Sequence, residues 1–175
     1  MLALATEATA RRLGLRVQAE VAGWALNSDG HHMAMPDGRK IARCLATVLE
    51  RTGVRPEAVD YYNAHGTSTR VNDQVETQAI KEVFGAAARR LPVSSIKGAL
   101  GHSLGAASAI EAAVCVRALR EQVIPPTINY RPDPELDLDY VPDRGRPARL
   151  ETILSASFGF GGTNNALLLR RWSGD

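Results

Sequence analysis

The chain is short of the features that would make several functions easy to assign. Cysteine occurs only at Cys44 and Cys115. Each sits in a helical, apolar pattern, which argues against a disulfide framework or a CxxC metal site and for buried thiols in a reducing compartment. No apolar run approaches the eighteen or so residues of a membrane span, and the N-terminus lacks the apolar core and cleavage site of a signal peptide. A cytoplasmic protein is expected. Aromatic residues make up 5% of the chain and the formal charge is +2. With no basic block and no aromatic interleaving, single-stranded nucleic acid is not an expected partner.

What is present suits an ordinary α/β domain. The 175 residues, 45% of them apolar, are enough for one real core and too few for two comfortable ones, so residues 1–175 read as a single domain. Met1 to Gly14 has the periodicity of an amphipathic helix. Leu15 to Asn27 alternates, with Val17, Ala19, Val21 and Gly23 on one face of a strand. Arg39 to Arg51 places Ile41, Leu45, Val48 and Leu49 at helical spacing, closed by Gly53. Val59 to Asn63 reads as a short strand. Asp73 is expected to cap the next helix, with Glu76 completing a capping box. A strand is expected at Pro92–Ser95, and a helix over "SLGAASAIEAAVCVRAL".

That helix is small or apolar almost all the way round, with Glu111 its only charge before Arg117, so the spacing predicts burial on every side. Either it is central in a small fold, or another domain or chain covers its far side. The proline- and acid-rich stretch "VIPPTINYRPDPELDLDYVPDRGRP" reads as an irregular excursion. Ile153–Ser157 and Ala166–Leu169, joined by "FGFGGTNN", form a terminal hairpin-like pair. Strands alternating with helices, then a final strand pair, predict a layered sheet of mixed strand direction.

Three strand-ending loops carry the chemistry: His65 with Thr67 and Thr69, Lys97 with His102, and the glycine run around Phe158 and Phe160. Loops at the carboxyl ends of strands in an open sheet share one rim, so these can converge. Two neutral imidazoles can donate to one developing oxyanion, each such donor contributing on the order of 3 kcal/mol. Placed just before the buried helix, His102 is expected to stay neutral and donate. Lys97 and Glu111 are the natural buried counter-charges. Taken singly, each histidine reads as a satisfied core or loop residue; the constellation makes the case. A zinc site from His31, His32, His65 and His102 has no ligand pair at zinc-finger or HExxH spacing, so no metal is expected. The glycine run lacks phosphate-loop spacing and leads into a strand, which fits turn chemistry better.

Together the stretches "NAHGTST" with Asp73, "SSIKGALGHSLGAASAIE", "PPTIN" and "SFGFGGTN" resemble the β-ketoacyl-acyl-carrier-protein synthases, condensing enzymes of the thiolase-like fold. The resemblance runs from near Leu2, takes in "NSDGHHM", and corresponds to the C-terminal half of a synthase. It implies a mixed five-stranded sheet with helices on both faces, one helix layer packing against a second, pseudo-symmetric half. It also implies that His65 and His102 bind a malonyl thioester carbonyl and support decarboxylation to the enolate, that Lys97 holds the second histidine, and that Glu111 is its buried partner. Thr67 and Thr69 would hydrogen-bond the phosphopantetheine arm, with His32 near its entrance. The Phe160 N–H would form half of an oxyanion hole, and its ring would gate the acyl pocket.

The implied nucleophile is a cysteine at a helix N-terminus in the other half, where the dipole favours thiolate. Neither Cys44 nor Cys115 occupies such a motif. The implied partners are therefore an N-terminal synthase half, either a separate chain or a half lost by truncation, an acyl carrier protein whose phosphopantetheine arm carries the substrate, and a second copy of the complete synthase. No bound cofactor is implied. Alone, the chain is expected to be inactive. The competing readings are a non-catalytic chain-length or scaffold subunit, an inactive fragment, and thiolase-type chemistry, which would place a general-base cysteine in this half. Two positions depart from the family pattern. Ala156 replaces an Asn at a structural cation site that would also use Asn63 and Glu111, and Asn165 stands where Gly or Ala is common.

Overall fold

The computed structural model describes residues 2–174. A five-stranded sheet runs in the order β1 (Glu20–Ser28), β7 (Thr163–Arg170), β6 (Thr152–Gly159), β2 (Tyr61–Asn63), β3 (Val93–Ser94). Strand β2 pairs in parallel with β3 and β6, while β7 runs antiparallel to both β6 and β1. The sheet is mixed, as expected. Because β1, β2, β3 and β6 all point the same way, their carboxyl ends open on one rim, together with the turn that starts β7.

One face is covered by α2 (Gly38–Thr52) and α3 (Arg70–Phe84). Asp37 starts α2 by accepting the Arg39 N–H at 2.9 Å, and Gly53, at φ +64°, ends it in the left-handed conformation that a Cβ disfavours. Ile41, Leu45 and Val48 are fully buried against Ala25, Leu154, Ala156 and Leu168, each contributing about 1.5–3 kcal/mol by leaving water. The other face carries α5 (Ala107–Glu121), whose Cys115, Ala118 and Leu119 pack on Tyr61, Ile153 and Leu169. Helices thus lie on both faces. No helix among the described residues is long and apolar enough to cross a membrane.

Several expectations need correction. The first helix, α1, spans only Glu7–Arg12, started by Thr6, which accepts the Thr9 N–H. Leu2 and Leu4 are exposed with nothing to pack on; Met1 lies outside the described residues. Strand β1 starts at Glu20 rather than Leu15, because its partner β7 ends at Arg170, opposite Glu20. A register shift between Val21 and Gly23 breaks the alternation read across that stretch. Helix α3 starts at Arg70 after Thr69, so Asp73 is inside it, and Glu76 faces the core rather than closing a capping box.

The helix expected to be buried all round is buried on one side. Ala107, Glu111, Ala112, Cys115, Ala118 and Leu119 face the sheet. Ser108, Ala109 and Ile110 are exposed, and so are Leu100 and Leu104 just before them. Ala156 belongs to the opposite, α2 face, whereas the alternation of β6 turns Ser155 and Ser157 toward Asn63 and Glu111.

The excursion after α5 holds one small antiparallel pair, β4 (Val123–Ile124) with β5 (Arg146–Pro147). It also braces the rim. Pro125 O accepts from Ser94 Oγ at 2.6 Å, Thr127 Oγ1 accepts the Ser95 N–H at 3.1 Å, and the Tyr140 and Thr77 hydroxyls are 2.6 Å apart. Acids spaced two apart secure it from outside: Glu135 meets Gln74 and Arg70, Asp137 meets Lys81, and Asp139 meets Arg146.

Candidate functional site

Three chain segments at the rim bring the expected residues together. His65 leaves β2 two residues past its end. Lys97 opens α4 (Lys97–Leu100), the single turn after β3, and His102 follows it. The His65 and His102 rings meet edge to face with centroids 5.6 Å apart, and Phe158 of β6 packs on His65 at 5.3 Å. His65 is 7% exposed. Burial, then the nearby Lys97 and His102, push its pKa down to about 3, so its imidazole is neutral across the physiological range.

His102 is not immediately before α5, because a 3-10 turn at Leu104–Ala106 intervenes. Its fixed group is local: Nδ1 accepts the Leu104 N–H at 3.2 Å, which leaves the proton on Nε2 as a donor. Lys97 and Glu111 form an ion pair in which both side chains are almost wholly buried, and Ser157 Oγ donates to the second Glu111 oxygen at 3.2 Å. Among the described residues Lys97 makes no hydrogen bond to His102. It reaches His65 through its field.

The peripheral residues form a second tier. Thr69 stands at the N-cap of α3 yet makes no capping bond; its hydroxyl lies 3.0 Å from that of Thr67, Thr69 being exposed and Thr67 half-buried. Phe160 projects from the β6–β7 turn and is 78% exposed, so the ring on His65 is that of Phe158. His32 is in the loop after β1, its Nδ1 accepting the N–H groups of Ala34 and Met35. That loop is laced to the glycine turn: Gly161 N–H donates to Met33 O at 2.8 Å and Asp29 N–H to Gly162 O at 2.7 Å. Asn164 donates to the Asp29 carboxylate at 2.5 Å. At Gly162, φ +77°, a Cβ would meet Asp29 at 2.5 Å. Among the described residues no group of three or more His, Cys, Asp or Glu side chains could hold a metal ion.

Sequence reasoning read Glu76 as part of a capping box, named Phe158 only within the glycine run, and gave Ser95 no role. Glu76 is 3% exposed and accepts the N–H groups of His65 and Gly66, both at 2.9 Å. A signal was available: Glu76 shares the inward helical stripe of Asn72, Ala79 and Ile80, where an acid has no business unless something donates to it.

Comparison with known proteins gives the family. Residues 18–131 match the family described as "Beta-ketoacyl synthase, C-terminal domain". A putative polyketide beta-ketoacyl synthase 1 of Streptomyces cyaneus is 49% identical over 163 residues, covering 91% of this chain and 39% of that protein. The 3-oxoacyl-[acyl-carrier-protein] synthase 2 of Coxiella burnetii is 45% identical over 165 residues, covering 93% of this chain and 40% of its own length. Among solved structures, the ishigamide ketosynthase/chain length factor superposes with a TM-score of 0.91 at 39% identity, covering 95% of this chain and 41% of that one. A type II acyl-carrier protein in complex with its ketosynthase bound to the hexaketide gives 0.91 at 37% identity, over 96% and 42% of the two chains. The chain therefore spans about two-fifths of the length of these relatives.

Proposed function

The chain belongs to the β-ketoacyl synthase family through its C-terminal domain, and from that premise we propose that residues 1–175 are one domain supplying the decarboxylation half of a condensing enzyme. In this reading an N-terminal half provides the nucleophilic cysteine. The joint reaction is decarboxylative Claisen condensation of a malonyl thioester with an acyl thioester, in fatty acid or polyketide synthesis in the cytoplasm. An acyl carrier protein delivers both through its phosphopantetheine arm, and the complete synthase is a dimer.

The observation that carries this reading is the edge-to-face pair of His65 and His102 above the buried Lys97–Glu111 ion pair. Decarboxylation leaves its electron pair on the α-carbon and charge on the thioester oxygen, so the site must offer hydrogen-bond donors there without protonating the carbanion. Neutral imidazole N–H groups do this, and His65 is held neutral by burial and by Lys97. Thr67 and Thr69 present two adjacent hydroxyls, hydrogen-bonded to each other, that suit the amides of the pantetheine arm, with His32 at its entrance. In this reading the Phe160 N–H belongs to the oxyanion hole for the acyl carbonyl, and its ring, exposed to solvent, is the gate.

The exposed row Leu100, Leu104 and Ile110 beside α5 fits the missing half, because a lone domain seldom leaves such a face open. Neither cysteine replaces the absent nucleophile: burial pushes the Cys44 thiol up to about 11 and the Cys115 thiol up to about 12. Alone, the chain is an enzyme half without turnover. A chain-length subunit, the competing reading, has no physical need for a charge-balanced donor pair.

Native mass spectrometry tests the first part: where the N-terminal half is a separate chain, a co-purifying polypeptide with a cysteine at a strand-to-helix turn is expected, and where it has been lost by truncation the chain runs alone. Malonyl decarboxylation by that complex tests the second. His102→Ala should lower its kcat by about 100-fold, the loss typical of one oxyanion donor; an unchanged rate would sink the catalytic assignment.

A further inference from the structure

Glu76 is a buried acid that the reaction as drawn does not use. Four donors converge on it. The N–H groups of His65 and Gly66 reach Oε1 and Oε2 at 2.9 Å each, Tyr62 Oη donates to Oε1 at 3.1 Å, and Asn72 Nδ2 to Oε2 at 3.4 Å. Burial raises its pKa to about 7 against the pull of these bonds, so at pH 8 it is mainly a carboxylate, an acceptor on both oxygens.

The peptide it grips is held on its other side as well. Gly66 O accepts from Ser95 Oγ at 2.8 Å, and a Cβ on Gly66, at φ +42°, would meet Ser95 Cβ at 2.6 Å. The backbone on either side of His65 is therefore fixed, whereas the imidazole is not fixed through its own inner nitrogen. Among the described residues, His65 Nδ1 is buried without a hydrogen-bond partner. This is the reverse of His102, whose Nδ1 is tied to the Leu104 N–H.

We infer that Glu76 is a positioning residue, aiming the His65 imidazole by clamping the two consecutive N–H groups of His65 and Gly66. The two histidines are then oriented by different means: His102 through its ring, and His65 through its backbone and the wall of Phe158. The inference rests on the ketosynthase reading for its kinetic consequence but not for its structural one.

The test is amide hydrogen exchange at pH 8 on the purified protein and its Glu76→Gln variant, with imidazole ¹⁵N shifts of His65. The variant's NH₂ group would face a backbone donor, so one clamp bond is lost. Exchange at His65 and Gly66 should quicken about tenfold, while Tyr62 and Ala64, whose N–H groups bond Pro92 O and Ser94 O, should not change. General loosening would move all four. The His65 ring shifts should move too. In the assembled complex, malonyl decarboxylation should lose on the order of tenfold or more in kcat with little change in KM, the signature of a misaimed group.

A folded Glu76→Gln protein with unchanged His65 and Gly66 exchange and unchanged ring shifts would overturn the proposal. If that variant does not fold, Tyr62→Phe, which removes one anchor of the carboxylate, should quicken the same two amides about twofold; no change there would overturn it equally. A wild-type complex that releases no CO₂ would instead overturn the ketosynthase reading, and the exchange data would still decide Glu76.

Discussion

The two faces of the sheet are built on different terms. On the α2–α3 side the contacts are closed and, apart from the Glu76 clamp, apolar: Ile41, Leu45, Val48 and Ile80 pack on Leu154, Ala156 and Leu168 with no solvent left. On the α5 side the same strands present Tyr61, Asn63, Ser94 and Ser155, linked by hydrogen bonds, and Ser157, which donates to Glu111 of the Glu111–Lys97 pair. The outer surface of α5 remains open. One face supplies stability, and the other holds charge beneath the histidines. A polar face of this kind specifies geometry and contributes little net stability of its own.

That contrast can be broken most decisively at Glu111. Glu111→Ala strands the Lys97 ammonium in the interior and should cost about 3–5 kcal/mol, read from urea denaturation. A cost below about 1 kcal/mol would mean that Lys97 escapes to water and that the polar face is not closed beneath the site. Leu45→Ala on the opposite face should cost about 2–5 kcal/mol by cavity formation, yet leave the His65 and His102 ring shifts unmoved. The same denaturation series with histidine NMR would check both halves of that statement.

A smaller effect separates two acid–base groups by sign. The His65 pKa is lowered on folding, so protons bind more tightly to the unfolded chain and its contribution to stability is lost as pH falls below about 6.5. The Glu76 pKa is raised, so its neutral form is preferred in the fold and stability from it grows as pH falls from about 7 toward 4.5. Between pH 7 and pH 5 each amounts to about 2 kcal/mol, in opposite directions. The wild-type contributions nearly cancel. His65→Asn should therefore make the protein gain stability on acidification relative to wild type, and Glu76→Gln should make it lose stability. Denaturant midpoints at the two pH values give the answer. Least of all, Thr69→Ala should cost under about 0.5 kcal/mol in thermal stability, less than an ordinary N-cap, because Thr69 makes no capping bond. In the same variant the KM for the carrier-bound substrate should rise.

Much of this was legible from residue order. The strand-ending positions of His65, Lys97 and the Phe158–Gly162 turn follow from short apolar runs broken by glycine, and parallel strands then oblige those loops to share a rim. Glu76 was misread because Asp73–Glu76 satisfies the local grammar of a helix start, and only the tertiary partners of its carboxylate show its role. The choice between the two readings of the far side of α5 stayed open for a related reason. Periodicity reports that a surface is apolar, not whether this chain covers it. The shift at Val21–Gly23 left no trace in the alternation, and the bracing of the rim by Thr127 and Tyr140 depends on contacts across 32 and 63 residues.

The order of the strands sets a timetable for the ribosome. Strand β1 comes first yet pairs only with β7, the last, and the sheet's centre is β6, with its hydrogen bonds to β2 reaching back some ninety residues. Until Arg170 has left the exit tunnel, α2, α3 and α5 have no sheet to fold upon. Over that interval the apolar faces of these helices lack the strands they pack on, which favours late, long-range folding of this segment. Losing the final strand would not trim an edge. It would remove the link between the first strand and all the others.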